Sequence, residues 1–175
     1  MHTALELDPG SVSVRRAVGW IYYYARRYDQ ARYHLTRAIA MNPTAEETYR
    51  VLGLALAQLG QWGESERVIR EGMELADTNS YTIATLVYVL GRAGDRPRAE
   101  ALLHDLERRA REDYVSPVAF ATAWIGMGDL SRALDWAERA WEERRGWLVY
   151  FGVNPLVDPL RGEPRFQALL GRLRM

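Results

Sequence analysis

Four consecutive stretches of 34 residues, beginning at Val12, Glu46, Ser80 and Tyr114, carry one recurring order of large, small and turn-forming residues, with no insertion or deletion between them. A fixed period of this length means that a single supersecondary unit is repeated. Such a unit cannot bury its apolar face alone and does so by stacking on its neighbours. The repetition therefore constrains the architecture more tightly than any single motif.

Within each frame the first segment calls for a large residue, a leucine three positions on, a small residue next, and a large residue three further. Frame two reads Tyr49, Leu52, Gly53 and Leu56; frame one has Val18, Gly19 and Tyr22; frame three Ile83, Leu86 and Leu90; frame four Phe120, Ala121 and Trp124. The second segment calls for small and large residues ending in proline, which Ala31, Leu35, Ala38 and Pro43 satisfy in full. Ser65 with Ile69, Ala99 with Leu103, and Ala133 with Ala140 keep parts of it. Small residues let two antiparallel helices approach, and large ones fill the gaps between pairs. Gly60, Gly94 and Gly128 mark turns between the two helices of a frame. Thr44 with Glu47 has the spacing of a capping box, and Ser116 before Pro117 reads as an N-cap and N1 proline. Arg15 stands at a large apolar position, Gly72 lies inside a helix, and Leu106 replaces a small residue. Val87 takes the place of the glycine in frame three, which leaves that repeat the least defined in its packing.

On these residues the chain resembles the tetratricopeptide repeat family from Val12 to about Gly146. The resemblance implies an all-α fold, a right-handed α-solenoid of helix-turn-helix repeats with a C-terminal capping helix. The expected division is 12–45, 46–79, 80–113 and 114–147 for four repeats, with 148–175 as a proline-rich turn segment and the cap. Residues 1–11 place Ala4 and Pro9 at helix B positions, so they read as the tail of an incomplete preceding repeat or as a short N-terminal cap. At the other end, Pro155 and Pro159 interrupt any helix before Glu163. Beyond it Phe166, Leu169, Leu170 and Leu173 form one apolar stripe behind Pro164, with Arg165, Arg172 and Arg174 on other faces. This ending is similar to that of bacterial tetratricopeptide arrays attached to a kinase, winged-helix or cyclase domain, which implies a module of a larger signalling or regulatory protein.

The 23 basic residues are all arginine and are balanced by 23 acidic ones, while lysine and cysteine are absent from the 175 residues. Missing lysine excludes the phosphate-loop, Schiff-base and kinase lysines. Missing cysteine excludes disulfides, thiolate metal sites and thiol nucleophiles. Balanced charge argues against direct nucleic-acid binding, and nothing resembles a membrane span or an export signal, so a cytoplasmic location is expected. His2, His34 and His104 are isolated, which speaks against a metal site; His34 and His104 read as surface residues. Pairs such as Glu46 with Glu47, or Glu142 with Glu143, read as helix starts and solvated faces, so no enzymatic chemistry and no cofactor are expected.

In the resembled family the first helix of each repeat lines a concave face that takes a peptide or protein segment. The positions that map onto that face are Arg16, Trp20, Tyr23 and Tyr24 in repeat one, then Arg50, Leu54 and Gln58 in repeat two. Repeat three contributes Tyr81, Tyr88 and Arg92, and repeat four Val115, Val118 and Thr122. Arginine and aromatic side chains are enriched where binding energy concentrates, so the expected partner segment is acidic and apolar. Trp20, Tyr24 and Tyr88 have the alternative of packing between repeats. The lysine and asparagine clamp by which some family members hold a C-terminal carboxylate is missing, its positions holding Arg16, Trp20, Val51, Tyr81 and Thr85. A second reading is self-association or docking on another domain through Val14, Val18 and Ile21, which an incomplete first repeat would expose.

Overall fold

The computed structural model describes residues 8, 10–75, 79–144 and 146–173, and among these there are helices and turns but no strand. Ala4, Pro9 and Arg174 lie outside the described residues. The chain divides into two compact units, residues up to 78 and residues from 79 onward. The first holds α1 (Val12–Tyr24), α2 (Tyr28–Met41), α3 (Glu46–Gln58) and α4 (Trp62–Met73), each packed mainly on the next in chain order. The second holds α5 (Ser80–Ala93), α6 (Arg96–Glu112), α7 (Pro117–Met127) and α8 (Leu130–Glu142). Two 3-10 segments, Gly146–Gly152 and Pro155–Leu160, and α9 (Pro164–Leu173) follow. In this unit α5 packs on both α6 and α7, and α7 packs on α8. The fold is all-α, and within each unit it is the stacked helix-turn-helix arrangement of an α-solenoid.

Helix pairs close where a small residue meets a large one. A Cβ on Gly19 would come within 2.6 Å of Leu35 Cγ, and Gly53 is equally tight against Ile69. Ser65 adds a bond at the second crossing, its hydroxyl donating to the Gly53 carbonyl at 2.7 Å. Glycine inside a helix costs about 1 kcal/mol relative to alanine. Gly72 is nevertheless required, because a Cβ there would stand 2.7 Å from Tyr49 Cβ. Tyr49 in turn donates its hydroxyl to the Pro43 carbonyl at 3.1 Å, tying α3 to the loop before it.

Repeat three does not pack loosely despite Val87, which is fully buried. A different close approach lies one turn along the helix and joins two frames: Gly91 of α5 crosses Gly126 of α7, and a Cβ on Gly91 would lie 2.5 Å from the Gly126 carbonyl oxygen.

All four turns within the helix pairs share one hydrogen bond, from the residue after the turn back to the carbonyl five positions earlier: Arg27 to Tyr22, Gln61 to Leu56, Asp95 to Leu90 and Asp129 to Trp124. This geometry places one residue in the left-handed region. Gly60, Gly94 and Gly128 fill it in three turns, and Arg26 fills it in the first with φ 58°.

Ser116 caps α7, accepting from Val118 N at 3.3 Å ahead of Pro117, as its sequence context predicts. Thr44 is not a cap. Helix α3 starts one residue later, with Ala45 at the N-cap, and the Thr44 hydroxyl donates instead to Asn42 Oδ1 at 2.7 Å. The competing local turn wins because a short asparagine side chain two residues back is within reach.

The prolines after α8 do not leave irregular chain; Pro155–Leu160 winds into a 3-10 turn with Pro159 inside it. Beyond this turn α9 buries Phe166, Leu169 and Leu170, while Arg165 bonds to Glu138 and Asp135 of α8 at 2.7 and 2.8 Å. Apolar burial carries this docking, because an exposed ion pair contributes little.

Candidate functional site

The most distinctive chemistry of the first unit lies where α1 and α3 meet. Arg50, one turn into α3, has a side chain only 13% exposed, yet it forms no hydrogen bond with any described residue. Its guanidinium stands 5.6 Å from the centroid of the Trp20 ring, a cation–π distance. Trp20 is set edge-on to Tyr24 with centroids 5.7 Å apart, and Tyr24 meets Tyr23 at 5.5 Å. The one carboxylate that Arg50 pairs with is Glu47, at 3.7 Å, and the second oxygen of that carboxylate stands 3.7 Å from Arg16. Burial pulls the Arg50 pKa below the usual arginine value, and the Glu47 charge partly opposes that pull. The result is a recessed cation on an aromatic face, flanked by a second arginine and a half-exposed carboxylate.

Of the other candidates in this unit, Gln58 is half-buried, whereas Tyr23 and Leu54 are core residues at 1% and 3% exposure. In the second unit Tyr88 and Val118 are likewise buried. Tyr81, Val115 and Thr122 are half-buried, and Arg92 is exposed. Thr122 spends its hydroxyl on the Val118 carbonyl at 2.9 Å. Helices α3, α5 and α7 are covered on most sides, so frame position alone overstates how much of each reaches solvent. Val18, expected at an exposed N-terminal face, is buried; Val14 is half-buried, and Ile21 alone of the three is exposed. His34 is not a free surface residue either, being half-buried and stacked on Tyr22 at 5.3 Å. His104 is exposed beside Glu107.

Glu47 is the functional candidate that sequence reasoning missed. Its i, i+3 spacing to Arg50 was readable, but its approach to Arg16 joins two helices and depends on how α1 and α3 meet.

No described helix is long and apolar enough to cross a membrane. A family model described as tetratricopeptide repeat matches residues 52–152, more than half of the chain, and a second with the same description matches residues 13–45. No curated protein matches the chain.

Proposed function

Because the chain belongs to the tetratricopeptide repeat family, whose repeats generally mediate protein–protein interaction, we propose that it is a non-enzymatic module that binds a segment of a partner protein on its first helices. The observation that carries this reading is the Arg50 cluster, where Trp20, Tyr24 and Arg16 keep part of their surface around a recessed guanidinium. A segment with acidic and apolar side chains suits it: rings supply area at small entropy cost, and guanidinium takes carboxylates in a bidentate way. In the second unit Tyr81 and Arg92 offer the same pair of residue types. The C-terminal resemblance to bacterial arrays supports a place in a larger regulatory protein.

Affinity near the micromolar range, about 8 kcal/mol, is expected for one short segment. The test is to select binding segments by peptide display and titrate them against Arg50→Ala and Tyr81→Ala variants whose helicity matches the parent. A loss of tenfold or more (about 1.4 kcal/mol) supports the reading, and unchanged affinity overturns it.

Self-association is the second reading, favoured by Ile21, which is 45% exposed on α1. Light scattering over a concentration series separates the two, since a reversible dimer lost in Ile21→Ser requires self-contact.

A further inference from the structure

Arg50 is buried to an extent that normally demands full hydrogen bonding, because an ion taken out of water without partners is costly. A guanidinium carries five N–H donors in a flat fork. Here the fork has a ring beneath it and one carboxylate 3.7 Å away, beyond the roughly 2.7–3.2 Å at which N–H···O bonds form. None of its nitrogens is sealed from solvent. Glu47 is as loosely engaged on its other side, 3.7 Å from Arg16, and 41% of its side chain is exposed. One carboxylate thus spans two arginines and satisfies neither.

Resting on the segment-binding reading above, we propose that Arg16 and Arg50 together receive one side-chain carboxylate of the partner, and that Glu47 is an internal placeholder that this carboxylate displaces. A free carboxylate entering from the Arg16 side, which is 37% exposed, is not tethered to α3 and can approach the Arg50 fork in its plane. Trp20 holds the fork's orientation from below, so little freedom is lost on binding. A monoanion suits the site better than a phosphate, because Glu47 stays close after displacement and repels a second negative charge. Glu47 also sets a threshold: while it lies between the two arginines and offsets part of their charge, anions without a well-matched geometry gain little by replacing it.

The experiment uses the whole chain with 15N-labelled arginine and follows the Nε–H signals during titration. The probes are acetyl-Leu-Glu-Leu-amide, its Leu-Gln-Leu counterpart and inorganic phosphate. The expected result is a saturable shift of the Arg16 and Arg50 signals with the glutamate peptide and none with the other two. Glu47→Gln, which keeps the shape and removes the charge, should tighten binding about threefold to tenfold, and Arg50→Lys should weaken it at least tenfold. A non-saturating shift spread over all arginines, an equal response to the glutamine peptide, or unchanged affinity in Glu47→Gln would overturn the proposal. Tighter binding of phosphate than of the glutamate peptide would overturn it too.

The outcome is separable from that of the broader reading. Display-selected segments that bind with silent Arg16 and Arg50 signals leave segment binding in place and remove the carboxylate site. A glutamate peptide that binds while no protein segment does has the opposite effect.

Discussion

Gly126 lies directly against Tyr88, so that a Cβ on it would overlap the Tyr88 Cα and stand 2.9 Å from its carbonyl oxygen. What opposes the added atom is main chain, which no rotamer change can move aside. Gly126→Ala is therefore expected to destabilise by about 1–3 kcal/mol or more, through forced separation of α5 and α7. Gly171, on an exposed part of α9, has nothing within 4 Å of its Cβ position. Gly171→Ala should stabilise by about 0.5–1 kcal/mol. Urea denaturation of the two variants beside the parent decides this, and a Gly126→Ala midpoint equal to the parent's would contradict it.

Arg26 occupies the left-handed turn position that glycine fills three times elsewhere in the chain. A side chain in that region costs about 1–2 kcal/mol, and glycine returns part of the gain as extra freedom in the unfolded chain. Arg26→Gly should thus raise stability by about 0.5–1 kcal/mol, and Gly94→Ala should lower it by about 1 kcal/mol although nothing crowds the added methyl. Both shifts are readable as thermal midpoints, and a fall in the midpoint of Arg26→Gly would refute the strain at that turn.

Asp105 accepts from Arg108 at 2.6 Å and from Arg109 at 2.9 Å, three and four residues on, one turn further along α6. The Arg108 bond, more than offsetting partial burial, holds its carboxyl below the usual aspartate value. A depressed folded-state pKa favours the ionised form. Its contribution is therefore complete above the ordinary value of about 3.9 and is lost as the pH falls through the lower folded value. Asp105→Asn should lower the melting temperature at pH 7 and leave it unchanged once the parent carboxyl is protonated. Melting curves from pH 7 down to about 2 test this, and a deficit that persists at the acid end would assign the effect to packing.

Much of the helix pairing was legible because it is local. Gly19 opposite Leu35 and Gly53 opposite Ile69 lie 16 residues apart within a frame, and Ser116 with Pro117 is a neighbour pair. The crossing of Gly91 on Gly126 was not legible. It joins two frames, and the alignment looks for glycine one turn earlier, at Val87. The candidate site divides in the same way. Arg16, Trp20 and Arg50 come together around Glu47, but Leu54, Tyr88 and Val118 share their frame positions with residues that reach the surface elsewhere and are themselves covered, as is Tyr23. A position in a repeat fixes which way a side chain leaves its helix, whereas what lies on that side depends on neighbouring frames.

Helix α7 is enclosed almost all the way round, with only Thr122 and Trp124 retaining some surface. Its cover comes partly from segments made after it, α8 and the 3-10 turn Pro155–Leu160. An apolar stretch of 11 residues is too short to hold itself helical in water. As the chain leaves the ribosome, α7 therefore waits with only its α5 side covered until those later residues arrive, and for that interval its remaining apolar surface is open to aggregation or to capture by a holding chaperone. The final repeat thus matures from its C-terminal side, and slow synthesis through residues 130–160 prolongs that vulnerable interval.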